Sequence, residues 1–534
     1  MSHQATFDGL TQLYEAILKL EKQNRNGIWA RWLKNAFAPL FKGKFDFVAG
    51  NPPWINWESL SSDYRMASGP LWVKHGLVAK AGGKQFELGK QKRDFATLFT
   101  YAAMDAYLPP NGKLGFLITQ TAFKTKSGER FRRFQLGNRT PLRVVLAEDL
   151  VEIQPFEGAS NRTGLIILQR GQRTEYPIPY FLWQRNGAGR FETDLSLAEV
   201  LPYVKRLQLA AQPVEPADAT SPWLTASSGA ILAAQKAQGR SAYQARAGSC
   251  TWLNGLYWVK VVEKRPDGLL TIENVGEIGK IRIATAQHPV EPDFVYPLLR
   301  GRDVERWHAV PSLNIVLPHT AETGWRAVEA SVMKESAPHT YGYFKRFEKL
   351  LTKRSGYQQL REGQPFYICA NTGPWLFEPH KVVWREQAAD FTAAVIGPTY
   401  ISDPTKPLIP DHKLMLVPAS SADEAHYLCA AINSMVCRVV VKGYVIETQT
   451  SVHVLDHIAV PRFAPANRVH QRLAGLSRRA HELAARIAAN PAEEEAKREL
   501  GHVEDEVDHV AAAELWGLTD AELDEIRKAL ELLK

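Results

Sequence analysis

Four consecutive residues, Asn51-Pro52-Pro53-Trp54, bring together groups that could hold a flat, polar ligand. Asn51 offers a side-chain amide and Trp54 an aromatic face, while the two prolines remove two backbone donors and fix the direction of the chain. Ahead of them, Phe45-Asp46-Phe47-Val48-Ala49-Gly50 is an apolar run broken only by Asp46. Such a run reads as a strand buried on both faces of a parallel sheet. Gly50 can adopt backbone angles closed to other residues, which suits an abrupt stop. A clamp of amide and ring would then stand just beyond the carboxyl end of a strand, where ligands bind in open α/β sheets. An ordinary strand followed by a Pro-Pro turn is the competing account, and the apolar lead-in weighs against it.

The stretch resembles the Asn-Pro-Pro-aromatic motif of the amino-methyltransferases, above all the DNA adenine-N6 methyltransferases of restriction-modification and phage-defence systems. Asn51, Pro52, Pro53 and Trp54 match it residue by residue, with Trp where Tyr or Phe is more usual. The resemblance implies that the Asn51 side-chain carbonyl and the Pro52 backbone carbonyl accept the two amino hydrogens. A base lifted from the duplex would stack on Trp54. The helix, turn and strand of "YLPPNGKLGFLITQTAF" resemble the family's next segment, and "VEIQPFEGASNRTGLIILQRG" its late hairpin. By that match Phe156 is the second aromatic wall, opposite Trp54. The cofactor implied is S-adenosylmethionine, touched in this chain by Asn51 at most.

These residues need elements to place them. Phe7, Leu10, Leu13, Tyr14, Ile17 and Leu18 lie on one face of a helix over 7–22, and Ile28, Trp29, Trp32, Leu33 and Phe37 on a second; both stripes read as core packing. Residues 55–92 read as an ordered loop region. Asp94 caps a helix with the apolar face Phe95, Leu98, Phe99, Ala102 and Ala106. Lys113–Thr119, Leu142–Leu146 and Thr163–Leu168 read as strands, and "GERFRRFQL" as a helix carrying Arg130, Arg132 and Arg133.

The domain expectation is a partial methyltransferase catalytic domain over 1–171, a connector over 172–245, a target-recognition domain over 246–465 and a helical segment over 466–534. The fold class is accordingly α/β: a partial class I (Rossmann-like) methyltransferase sheet, then a mixed α/β recognition domain and a helical tail. "LLRGRDVERW", "HKVVWRE", "AAINSMVCRVVV" and "HIAVPRF" resemble the target-recognition domains of single-chain restriction-modification enzymes. Basic residues interleaved with aromatics there, Arg300, Arg302, Arg306 and Trp307, then Lys381, Trp384 and Arg385, suit phosphate and base contact. The final helix is capped by Thr519 or Asp520 before Glu522.

A complete enzyme of this family carries, before the clamp, a glycine-rich loop after one strand and an acidic residue after the next, which hold S-adenosylmethionine. Neither occurs upstream of Phe45. Without the neighbouring strand the clamp strand would become a sheet edge with unpaired backbone groups. The expectation is a protein partner that supplies the N-terminal half of the methyltransferase domain.

Composition bounds the rest. At 534 residues, with 45% hydrophobic and 23% charged, the chain reads as several soluble domains. Lys and Arg number 65 against 57 Asp and Glu, a formal +8, compatible with double-stranded DNA as partner. The four cysteines form no Cys-x-x-Cys pair, which speaks against a disulfide framework or zinc ribbon and for a cytoplasmic setting. No signal peptide or membrane-crossing run is evident. His453 and His457 lack a third ligand, so no metal site is expected, and no phosphate-binding loop of the Gly-x-x-x-x-Gly-Lys type occurs. The main alternative is a non-catalytic DNA-recognition subunit of a defence complex.

Overall fold

The computed structural model describes residues 3–25, 31, 34–35, 38, 43–78, 93–156, 162–187, 195–279, 281–360, 362–388, 390–398, 405–445 and 450–533. The second predicted helix (Ile28, Trp29, Trp32, Leu33, Phe37) falls outside them. The chain divides into two compact units: residues 1–123 with 127–208, and residues 124–126 with 209–534. That boundary lies inside a strand, not at 171 or 245, and the helical tail belongs to the same unit as the expected recognition region.

The first unit opens with α1 (His3–Lys22), followed by β1 (Phe47–Gly50), α2 (Ser62–Lys74) and α3 (Phe95–Tyr107). Then come β2 (Lys113–Thr119), β3 (Leu142–Asp149), β4 (Thr163–Arg170) and β5 (Ile178–Arg185). Their order in the sheet is β1-β2-β4-β3-β5. β1 runs parallel to β2, from Phe47 opposite Lys113 to Gly50 opposite Phe116. β4 is antiparallel to both β2 and β3, so the chain reverses through a hairpin before the sheet continues. Leu114, Phe116 and Ile118 of β2 and Ile166 and Leu168 of β4 are buried. α3 packs against β2 and buries Leu98, Tyr101 and Met104. Asp94 does cap α3, its carboxylate accepting the Ala96 N–H at 2.9 Å.

Several expectations need correction here. β1 is not buried on both faces: among the described residues it ends the sheet, and Phe47 is 74% exposed. The α1 stripe is not core either, since Phe7, Leu10 and Tyr14 are each more than 60% exposed and no described residue covers them. Residues 62–74 form a helix rather than a loop; its Ser61 cap was readable, but Gly69-Pro70 inside it obscured the periodicity. "GERFRRFQL" makes only the single turn Phe131–Arg133, because Phe134 takes a left-handed conformation at φ 42° and ends it. Arg132 is buried and donates to the Ala122 carbonyl at 2.8 Å. The expected connector contains β5 and β6 (Val204–Pro213), which begins in the first unit and ends in the second.

The second unit has a six-stranded mixed sheet built from strands between Trp258 and Pro410. A four-stranded antiparallel sheet places His380–Arg385 between Ala393–Ile396 and Leu414–Ala419. The helix Ala422–Asn433 packs on that sheet and against Arg468–Ala489 of the tail. Thr519 closes a capping box with Glu522 at the start of Asp520–Leu532, as its sequence suggested. Among the described residues no helix is long and apolar enough to cross a membrane.

Candidate functional site

The clamp follows directly from β1. Lys113 N–H donates to the Asp46 carbonyl at 2.9 Å, fixing the strand's start against β2. At its end, a side chain on Gly50 would begin only 3.1 Å from the Phe116 ring, so glycine is needed here for close approach. No positive φ is involved. Pro52 is then buried while Asn51 stays exposed, leaving its amide open to a ligand. Trp54 is half-buried and held by its indole N–H, which donates to the Leu117 carbonyl at 3.2 Å.

Beyond the clamp the chain is pinned to the start of α3. Phe95 N–H donates to the Ile55 carbonyl and Trp57 N–H to the Arg93 carbonyl, both at 2.9 Å. Trp57, Trp72 and Phe95 pack ring against ring underneath, at 5.7 and 6.2 Å between centroids. Asp94 joins these pieces. One carboxylate oxygen caps α3 and the other accepts the Thr119 hydroxyl at 2.6 Å, tying the clamp's exit to the carboxyl end of β2. Burial pushes its pKa up against those hydrogen bonds. The sequence marked Asp94 as a cap; its second bond, across to β2, left no local signal.

The other wall is held by a second carboxylate. Asp149, at the end of β3, accepts the Tyr180 hydroxyl at 2.6 Å and the Val151 N–H at 3.1 Å. Burial and the neighbouring Asp149 charge push the Tyr180 phenol well up, so it stays a donor. Arg185 of β5 binds the next carbonyls, Glu152 at 3.0 Å and Ile153 at 2.9 Å. Gln154 takes φ 44° and turns the chain. Phe156 thereby meets Trp54, with ring centroids 5.4 Å apart and planes at 77°. Two positions 102 residues apart in sequence, singled out as opposite walls, are in contact.

That contact is edge to face. A base between two stacked rings needs roughly 7 Å, two layers of about 3.5 Å each. The jaw is therefore closed on itself, and opening it gives up an aromatic contact of about 0.5–1.5 kcal/mol. A stacked base replaces that contact on both faces, so the closed jaw favours a ligand with two aromatic faces over one without.

The same residues do not form a cradle for S-adenosylmethionine. Among the described residues no glycine-rich turn follows a strand ahead of β1, and no strand pairs with its outer side. The described residues of this site present an amide and two rings, and no cradle for a methyl donor.

In the second unit the basic candidates divide. Lys381 is wholly buried, its ammonium hydrogen-bonded to the Glu378 and Leu408 carbonyls, and burial lowers its pKa to about 7. Arg306 pairs with Glu504 at 2.9 Å and donates to the Asn433 carbonyl at 3.0 Å. Arg300 closes back on Asp303 at 3.2 Å. Trp307 and Trp384 are core residues. These side chains hold the fold together, which corrects their reading as DNA contacts. Arg385 is half-buried, and Arg302 alone of the five basic candidates is exposed.

Residues 4–150 match the family described as Eco57I restriction-modification methylase. No curated protein matches the chain. Among solved structures, the Type IIL restriction-modification enzyme MmeI in complex with DNA superposes with a TM-score of 0.55 at 11% identity. It covers 94% of this chain, which spans 58% of that enzyme's length. The ATP-dependent Type ISP enzyme LlaBIII bound to DNA covers 82% of this chain and 29% of its own, with a TM-score of 0.37 at 9% identity. The first of these shows a shared fold. Residues 4–150 are thus similar to a restriction-modification methylase family, and the chain as a whole shares a fold with a restriction-modification enzyme.

Proposed function

We propose that this chain is the base-holding and DNA-recognition part of an S-adenosylmethionine-dependent DNA adenine-N6 methyltransferase of a restriction-modification or phage-defence system. The observation that carries the reading is the contact of Trp54 with Phe156 at 5.4 Å, beside an exposed Asn51 amide. A purine amine is a poor nucleophile because its lone pair is delocalised into the ring. Asn51 and the Pro52 carbonyl accept its two hydrogens and favour a pyramidal nitrogen, while Trp54 and Phe156 hold the ring flat. Pro53 fixes the angle between them. The methyl donor is held by polypeptide not contained in these 534 residues, docked on the open side of β1. The 74% exposed Phe47 and an outer edge of that strand that no described strand pairs with support this. The second unit chooses the DNA sequence.

Adenine-methylation sequencing of DNA from cells with and without the gene tests the reading. A sequence motif methylated only when the gene is present is the expected result. Identical methylation in both overturns it.

A further inference from the structure

The second unit carries a set of arginines that its own fold leaves exposed, each lying over an aromatic ring. Arg246 sits 4.9 Å from the Trp375 ring centre, Arg326 4.9 Å from Trp325, and Arg462 4.6 Å from Tyr243. The three pairs are contiguous. Trp375 and Arg462 line one cavity of about 680 Å³, together with Glu378, Ser420, Glu424 and Phe463. The Pro374 ring, next to Trp375, lies 3.4 Å from where a side chain on Gly324 would begin, and Gly324 precedes Trp325. Tyr243 and Arg246 are three residues apart on one segment.

Trp325 stands out further. It is 60% exposed on a loop whose base is rigid. Buried His319 donates from Nδ1 to the Gly324 carbonyl at 3.1 Å and accepts the Cys369 N–H on Nε2 at 3.0 Å. Thr320 and Thr323 exchange hydroxyl and backbone hydrogen bonds at 3.0 and 3.3 Å, and Gly324 turns the chain at φ 58°. A preorganised loop that keeps a Trp in water gains nothing for stability from it. In the cavity the Trp375 indole N–H is buried without a hydrogen-bond partner among the described residues, an unmet donor. Glu424 is occupied by Ser420 and Arg462, which leaves the Glu378 carboxylate as the cavity's open acceptor.

We infer that this Arg–aromatic array, Arg246/Trp375, Arg326/Trp325 and Arg462/Tyr243 with the cavity among them, is the nucleic-acid contact surface of the second unit. The inference rests on the proposed DNA-recognition role of that unit. Guanidiniums held over rings meet phosphates without a further loss of side-chain freedom, and the exposed Trp325 ring can stack on a base or sugar. Glu378 suits the amino group of a cytosine or adenine edge.

The test is binding of the full chain to mixed-sequence duplex DNA, by fluorescence anisotropy over a range of salt. Each phosphate contact contributes a slope of about 0.9 in log affinity against log salt. The triple variant Arg246→Gln/Arg326→Gln/Arg462→Gln should bind at least about tenfold more weakly, with a slope lower by about 2 to 3. Trp325→Ala should weaken binding about fivefold or more and Trp325→Phe should restore most of it, the mark of stacking. If the triple variant melts early, Arg326→Gln combined with Trp325→Ala carries the test, since both positions are exposed. Wild-type chain that does not bind duplex DNA sinks the recognition role and this surface with it. Wild-type binding that all variants retain, with the same slope, sinks the surface alone.

Discussion

β1 with its lead-in and the strand His380–Arg385 look alike in sequence, short apolar runs interrupted by charged residues, and the fold treats them in opposite ways. "FDFVAG" ends the first sheet with Phe47 74% exposed, while "HKVVWR" lies between two strands with Lys381 fully buried. A phenylalanine stands in water and a lysine inside the core. The second strand is complete: each of its edges has a partner, and the buried ammonium finds two carbonyls. The first is complete on one side only, and there the chain presents the open amide of Asn51. In this molecule chemistry is offered where the fold leaves groups unengaged, and charge by itself is a poor guide to it.

The strongest test of that contrast is Asn51→Ala. Its side chain makes no fold-supporting contact among the described residues, so stability should hold within about 0.5 kcal/mol. Methylation by the assembled enzyme should fall by a factor of about 100 or more, the scale for removing one positioned hydrogen-bonding group at a reacting centre. DNA binding should change less than twofold. Methylation by the variant equal to wild type would refute the clamp.

Lys381→Ala should give the reverse pattern. It leaves two carbonyls unmet and a cavity in the second unit's core, for a loss of about 2–5 kcal/mol in urea unfolding. At a temperature where the variant is folded, DNA affinity should match wild type. Weaker binding at full stability would return Lys381 to the phosphate contacts.

Phe156→Ala comes next. Losing one stacking face of about 1–3 kcal/mol predicts a fall in kcat/KM of roughly tenfold to a hundredfold, with Phe156→Tyr close to wild type. An equal loss from both variants would mean that the ring packs the loop and does not hold a base.

How much of this was legible in the sequence follows the same division. β2, β3, β4 and the capped α3 are local signals: apolar runs bounded by Pro, Gly and Asp, and they stand within a few residues of where the pattern placed them. The contact of Trp54 with Phe156 was legible because a motif fixes residue types together with their order. Burial was not. Whether β1 is central or an edge depends on what pairs beside it, and the four letters Phe-Val-Ala-Gly are silent on that. Arg306 and Lys381 were misjudged for the same reason, since Glu504 lies 198 residues from Arg306 and the carbonyls that bind Lys381 belong to Glu378 and Leu408. Asp149 and Arg185, which steer the Phe156 loop, act through backbone carbonyls and amides that no spacing rule reports.

The second unit's closed interior also predicts a pH response. Burial lowers the pKa of His426 to about 3 and of His319 and His481 to about 4, so all three are neutral in the folded state and charge readily once unfolded. Their contribution is fully present above about pH 6.5 and is lost as pH falls toward 4, because the unfolded chain binds the extra protons. Asp411 and Asp508, raised to about 6 by burial, act in the opposite sense, since the folded state takes up their protons first. Three histidines outweigh two carboxyls, so the urea midpoint should drop most steeply near pH 6 and more gently below it. His481→Asn should reduce that slope; an unchanged slope would place the acid sensitivity elsewhere.

The smallest expected effect is at Phe47, and it bears most directly on the contrast between the two strands. Truncating a buried phenylalanine removes about 3–5 kcal/mol. At 74% exposure most of that side chain's surface is already in water, so Phe47→Ser in the chain alone should change the free energy of urea unfolding by no more than about 0.5 kcal/mol. The same substitution should weaken association with whatever polypeptide completes the sheet, because docking there would bury the ring beside a newly paired strand. A large loss of stability in the isolated chain would show that Phe47 is already covered, and with it that β1 is not the open edge on which the completed site is built.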